Sequence, residues 1–408
     1  MPAHKWTFKS RFRVNAYDWK GTALASKRLR EAVSEIKKVA KSEPVVAADG
    51  AVGLMERIWP ALQGIDSSSG ALGSAVNRTL DGLIPFVIDA PADTKTRSKW
   101  LDRLYEAVQE DGVDYLSPVE DQWGAICGGD GDLANDWADR LLPLVRKVWS
   151  SEEIGGWVKG ASLCLSSLVA AERYEELDAI LSLRSFRFWP FDKFWAGALV
   201  QQGQIDEAIE FAESCRKDRP GYDDGTIVEF SEQTLLAAGR VDQAYDRYAM
   251  EAARATTNLA TFRQIAKKYP DREPRNILLD LIAQHGTKGK WFAAAKDAGC
   301  LDVALECAGD YEAEPATLIR AARDFIDKDA EFAAHVAVCA ITNLLAGGGY
   351  EPTTLDMIRA YQHLANAAAK CDRLGWAQAE VDRLIAKGTS SDRQEMSWAL
   401  VAERGRQP

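Results

Sequence analysis

The sequence predicts an all-α protein: an N-terminal helical domain with a short extended N-terminal arm, followed by a superhelix of paired α-helices. Three observations predict it. Apolar residues recur at three- and four-residue spacing along most of the chain, the period of helices with one buried face. A single eleven-residue pattern returns four times beyond residue 155. Only the first sixteen residues alternate rather than wind. At 408 residues the chain exceeds one core's usual limit of about 250–300 residues, so two or three units are expected. With 47% hydrophobic and 27% charged residues, the composition is that of a soluble globular protein.

The net charge of −11 hides an asymmetry. Residues 1–41 hold 11 Lys and Arg against three acids, Asp18, Glu31 and Glu35; the rest of the chain holds 39 basic against 58 acidic residues. A basic arm on an acidic body is the expectation, free for a partner or docked on that body. The seven cysteines form no CxxC pair and are expected as buried thiols in a reducing compartment. The N-terminus lacks a signal peptide's apolar core. The apolar run 332–346 is too short to span a bilayer and carries His335, Thr342 and Asn343. A cytoplasmic protein without a membrane partner is expected.

The elements follow in order. Over residues 1–20, Trp6, Phe8, Phe12 and Val14 share one parity and Lys9, Arg11 and Arg13 the other, the period of an extended strand. The helical domain, 21–127, opens with Leu29, Ala32, Val33, Ile36 and Val39 at helical spacing, then Val52, Met55, Trp59 and Leu62. DSSSGALGSAVN, Asp66 to Asn77, has the look of a phosphate loop but lacks the lysine and the preceding strand. Its serines are expected to cap a helix from about Gly70 to Ile84, closed by Pro85, with Gly70, Gly73 and Ala75 letting a neighbour approach. An anion on that helix start is the alternative. Ser117-Pro-Val-Glu120 has the form of a capping box. GGDGD, 128–132, opens a linker and bridging helix over 128–154 with Leu133, Trp137, Leu141, Leu144 and Val148 on its apolar side.

Over 155–388 the chain repeats: AAERYEELDAI (170–180), QQGQIDEAIEF (201–211), AAGRVDQAYDR (237–247) and DAGCLDVALEC (297–307). Gly203, Gly239 and Gly299 align, with Glu172 in the glycine's place; Asp206, Asp242 and Asp302 align, as do Ala208, Ala244 and Ala304. Glycine supplies the left-handed residue that ends a helix, aspartate favours the first turn of the next, and alanine lets the two helices pack closely. The steps are 31, 36 and 60 residues, near one and two units of about 34. With Pro220 placed like a repeat's final proline, these residues resemble tetratricopeptide-like α-solenoids. They are also similar to uncharacterised bacterial helical-repeat proteins, including the helical portion of some SWIM zinc-finger proteins, although no CxCx…CxH motif is present. The resemblance implies a fold and a bias towards partner binding, not a reaction. Residues 389–408 are expected as a polar tail.

Catalytic and metal chemistry find no anchor. His335 and Cys339 stand four apart without third and fourth ligands in sequence; Asp130, Asp132 and Asp136 lack the glycine of a calcium loop. Tyr222-Asp-Asp-Gly225 is expected as a polar turn rather than a catalytic carboxylate pair. No cofactor is implied. The expected function is a non-enzymatic scaffold that binds a protein or peptide through a repeat groove, with Trp195, Leu199, Gln202 and Glu232 as candidate contacts. The alternative is a nucleic-acid-associated factor using Lys9, Arg11, Arg13, Lys27, Arg28 and Arg30, where KWTFKSRFR interleaves aromatics with charge. Oligomeric state is not legible.

Overall fold

The computed structural model describes residues 4–151, 158–388 and 393–406. Parts of the expected 128–154 linker, of the repeat start at 155 and of both chain ends lie outside the described residues. The protein is all-α: helices dominate, and no strand occurs among the described residues. The chain divides into two compact units, Met1–Ile227 and Val228–Pro408.

The first unit holds α1 (Thr22–Ala40), α2 (Pro44–Leu62), α3 (Ala71–Ile88), α4 (Thr94–Glu110), the short α5 (Ser117–Asp121) and α6 (Trp123–Ile126), α7 (Gly131–Trp149), and the paired helices α8 (Ala161–Ala170), α9 (Tyr174–Leu181), α10 (Trp189–Gln201) and α11 (Ile205–Asp218). The division falls inside α12 (Asp224–Ala237). The first helices form because their apolar residues share a face: Ala25, Leu29, Ala32 and Ile36 of α1 are all buried. They pack on α2 and α3, and α2 packs on α4. One core runs from Trp6 to Ala198, with Trp100 and Trp123 almost fully enclosed.

Several local expectations are corrected. The N-terminal segment is not a strand. Thr7–Ser10 is a 3-10 turn, and Glu35 of α1 accepts hydrogen bonds from the Thr7 amide and hydroxyl (both 2.7 Å) and from the Phe8 amide. Trp6, Phe8 and Phe12 are buried as their parity predicts, but Val14 is 67% exposed. Gly50 of α2 leaves the slot for Trp6: a Cβ there would lie 2.2 Å from the indole. Pro85 does not stop α3, which continues to Ile88 with the proline inside it. Gly70 and Gly73 have no neighbour within 4 Å of a Cβ position, so they admit no close-packed helix; Gly70 instead takes the left-handed conformation, φ 70°, before α3. Asp66 accepts from the Ser68 amide, and only Ser69 reaches towards the helix start, at 3.4 Å from the Ala71 amide. Ser117 does not act as a cap: Leu116 holds the N-cap position and its carbonyl accepts the Glu120 amide, while the Ser117 hydroxyl donates to the Asp114 carbonyl. In α7, Leu144 is 47% exposed and Leu142 takes the buried side. Asp130 caps α7 and also accepts from Thr94.

The second unit continues with α13 (Val241–Ala244), a π turn at Tyr245–Ala249, α14 (Met250–Ala252), α15 (Asn258–Lys268), α16 (Pro274–His285), α17 (Phe292–Asp297), α18 (Leu301–Ala308), α19 (Pro315–Phe325), α20 (Ala330–Leu345), α21 (Thr354–Lys370), α22 (Leu374–Lys387) and α23 (Gln394–Arg406). Contacts run mainly between helices close in sequence, α15 with α16 and α17, α19 with α20, α20 with α21, α21 with α22 and α23. Within the expected polar tail, α23 buries Met396 and Leu400. No helix among the described residues is long and apolar enough to cross a membrane. Cys127, Cys164, Cys215 and Cys307 are buried free thiols, whereas Cys300, Cys339 and Cys371 are half-buried.

Candidate partner-binding site

The repeated turns set where helices begin, and the left-handed residue is their common part. Glu172, Gly203, Gly239 and Gly299 have φ of 56°, 76°, 74° and 73°. In each copy the next residue's amide donates back across the turn: Arg173 to Leu168, Gln204 to Leu199, Arg240 to Leu235 and Cys300 to Ala295, the six-to-one bond of a Schellman cap. A fifth copy, KCDRLGWAQAE (370–380), is joined at Asp372, φ 54°, with Arg373 donating to Ala368. Sequence reasoning missed it because Asp372 replaces the glycine and Gly375 the aspartate. Leu177, Ala208, Ala244, Ala304 and Ala377 are buried at the matching position.

Between the first two pairs, residues 182–188 connect α9 to α10, and this connection builds a cavity of about 440 Å3. Its lining includes Ser182, Arg184, Ser185, Phe186, Arg187, Asp192, Trp195 and Phe211. Pro190 starts α10, and Asp192 in its first turn accepts from the Phe188 amide at 2.6 Å. Asp192 also pairs with Arg184 in a buried ion pair, their side chains 1% and 7% exposed. The Arg184 guanidinium lies 5.2 Å from the Trp149 ring and 5.6 Å from Phe191. Its Nε and Nη1 are buried without a hydrogen-bond acceptor. Removing either partner of such a pair leaves an uncompensated buried charge, at about 3–5 kcal/mol.

The rim is more open. Arg187 sits 4.7 Å over Phe211, is 44% exposed, and reaches Asp218 only at 3.9 Å. Arg219 donates to the Arg187 carbonyl and lies 5.6 Å from Phe186 and 4.4 Å from Tyr222; those two rings are 55% and 61% exposed. Burial pushes the nearby Cys215 thiol up to about 11, so it is no thiolate nucleophile at neutral pH. No histidine or lysine lines the cavity beside Ser182 and Ser185.

Of the four residues expected to line a groove, Trp195 alone lines this cavity. Leu199 is buried, and its carbonyl is used by the turn. Gln202 is exposed at the end of α10 and donates to Ala198. Glu232, in the second unit, is 1% exposed and held by the Tyr269 hydroxyl and the Lys268 ammonium, each at 2.6 Å. It is a core carboxylate, unavailable as a surface contact. Arg184, Phe186, Arg187 and Phe211 were missed, although RSFRF (184–188) shows the same alternation of arginine and aromatic as the N-terminus.

Of the six basic residues, Arg11 and Arg28 both pair with Glu31, at 2.5 and 2.7 Å. Lys9, Arg13, Lys27 and Arg30 are exposed. His335 Nδ1 donates to the Glu331 carbonyl at 2.9 Å, and its ring lies tilted 4.6 Å from Trp376. Among the described residues no group of three or more histidine, cysteine or acidic side chains is placed to hold a metal. No protein-family model matches the chain, and no curated protein matches it.

Proposed function

We propose that the protein is a non-enzymatic interaction protein of the cytoplasm, whose helical pairs stack as a tetratricopeptide-like superhelix and bind a protein or peptide. The partner's contact centre is the cavity of Arg184, Phe186, Arg187, Trp195 and Phe211, which receives an aromatic side chain flanked by a carboxylate. The observation that carries this reading is the composition of that cavity. Arginine, tryptophan and other aromatics are the residues that dominate binding energy at protein interfaces, and here they surround a cavity with two exposed rings at its rim. Arg187 supplies the carboxylate partner, since its own acid stands 3.9 Å away and half in solvent. Arg184 beneath is already paired with Asp192, so the exposed Arg187 is the cation offered to a partner's carboxylate.

A selection from displayed random peptides tests it. Enriched peptides are expected to join an aromatic residue to Asp or Glu. Arg187→Glu is expected to weaken them at least about tenfold and Phe186→Ala by about 1–2 kcal/mol. Enrichment of no such class, or affinity unchanged in Arg187→Glu, contradicts the proposal.

A further inference from the structure

The second unit carries an acidic, aromatic tip. Tyr350, on the connection between α20 and α21, is 85% exposed, the most exposed large apolar side chain among the described residues. Glu351 follows it, exposed and held at a left-handed φ of 45°. It makes no ion pair among the described residues. The tip is built rather than loose. Asn343, at the end of α20, is 3% exposed, and its side-chain amide donates to the Asp310 and Ala313 carbonyls at 3.0 and 3.1 Å. Its own carbonyl accepts the Gly348 amide at 2.8 Å, and a Cβ on Gly348 would stand 2.9 Å from that oxygen. A Cβ on Gly349 would stand 3.3 Å from Pro315, the start of α19. One buried amide thus ties the Tyr350 loop to residues 310–313, where Tyr311 is also exposed between Asp310 and Glu312. Those two acids are engaged: Asp310 accepts the Glu312 amide, and Glu312 lies 3.7 Å from Lys290. Tyr350 with Glu351 is the free pair.

We propose that a second copy of this chain is a partner of the cavity in the first unit, docking its Tyr350 and Glu351 there. The inference rests on reading that cavity as a site for an aromatic side chain flanked by a carboxylate. The chemistry on the two surfaces is complementary. The phenol ring meets Phe186, Trp195 and Phe211, and the Glu351 carboxylate meets Arg187, whose own acid is 3.9 Å away. Tyr222, the other exposed tyrosine with an acid beside it, lies under Arg219 at the rim and belongs to the receiving side. Each copy carries both halves on different surfaces, so the contact is head to tail. Such a contact either closes into a ring or runs on as an open chain. A loop already held in place loses little freedom on binding. The contact is nonetheless small for a protein interface, so transient association is expected, with Kd on the order of 10–100 µM.

The test is sedimentation velocity on the full chain, at concentrations spanning that range. Tyr350→Ser is expected to raise the self-association Kd at least about tenfold, and Glu351→Lys and Arg187→Glu are each expected to do the same by placing like charges together. An equal mixture of Glu351→Lys and Arg187→Glu is expected to associate again, because the first keeps an intact cavity and the second an intact tip. Tyr350→Ser, at the most exposed ring, keeps the test valid if a charge reversal unfolds the chain. A monomer at every concentration overturns the proposal. So does association like the parent's in Tyr350→Ser or Arg187→Glu, the latter being the mark of a tip-to-tip contact, and so does a mixture that stays monomeric. If peptides joining an aromatic to an acid bind the cavity while the full chain stays monomeric, this inference falls and the reading of the cavity stands; if neither binds, both fall.

Discussion

Arg97 shows how much one side chain can organise. It is 5% exposed and donates to the carbonyls of Val87, Ala90 and Ile126 at 2.7–2.9 Å, tying the end of α3 to α6 without a carboxylate. Burial lowers its pKa from the ordinary arginine value, the cost of a cation held by dipoles alone. Arg97→Met keeps much of the volume but strands three carbonyls, and should lose about 3 kcal/mol or more, read from the denaturant midpoint. Glu120 makes the opposite case. Burial, with Asp114 and Asp121 beside it, pushes its carboxyl up to about 7. The folded chain therefore holds a proton that the unfolded chain releases between about pH 4.5 and 7, and this group's contribution to stability falls as pH rises through that window. Glu120→Gln should stabilise the fold by about 1–3 kcal/mol at pH 8 and leave it unchanged at pH 4. Neither role is legible in sequence, because Arg97 reads as one of many exposed helix arginines and Glu120 as half of a capping box.

At the scale of elements, the helical hairpins were legible because their determinants are local. A left-handed residue, the backbone bond that crosses it and a buried residue five positions later, alanine in all copies but the first, lie within a dozen residues. Two copies use a non-glycine at that φ, Glu172 and Asp372, which strains the backbone. Glu172→Gly and Asp372→Gly should each stabilise by about 0.5–1 kcal/mol, while Gly239→Ala should cost about 1 kcal/mol; thermal denaturation of the three variants separates these signs. The N-terminal segment was misread for the converse reason. The parity of Trp6, Phe8 and Phe12 fits a strand and a docked 3-10 turn alike. What decides is Glu35, 27 and 28 residues away, and the slot at Gly50. Gly50→Ala should displace the indole and speed hydrogen exchange at the Phe8 amide, and unchanged protection would show that the segment is held otherwise. Pro85 likewise passed through a helix that the sequence rule ends there, since α3 is fixed by Leu72, Val76, Leu80, Leu83, Ile84 and Val87.

At the scale of the molecule, composition and periodicity were enough for an all-α chain in more than one unit. They gave the repeated turns but not the cavity, because the cavity is made where a connection folds back. Arg184 meets Asp192 across a turn, Trp149 lies 35 residues earlier, and Phe211 comes from the next helix. Of the expected contacts, Trp195 alone lines the cavity. Helix position cannot tell an exposed groove residue from one like Glu232, which faces its own core. The most direct test of the account is affinity capture from a native cell extract with the full chain, with and without nuclease, beside Arg187→Glu and Phe186→Ala. The account predicts a defined protein partner that nuclease does not remove and that both variants lose. Equal capture by the variants, or recovery of nuclease-sensitive material alone, would contradict it.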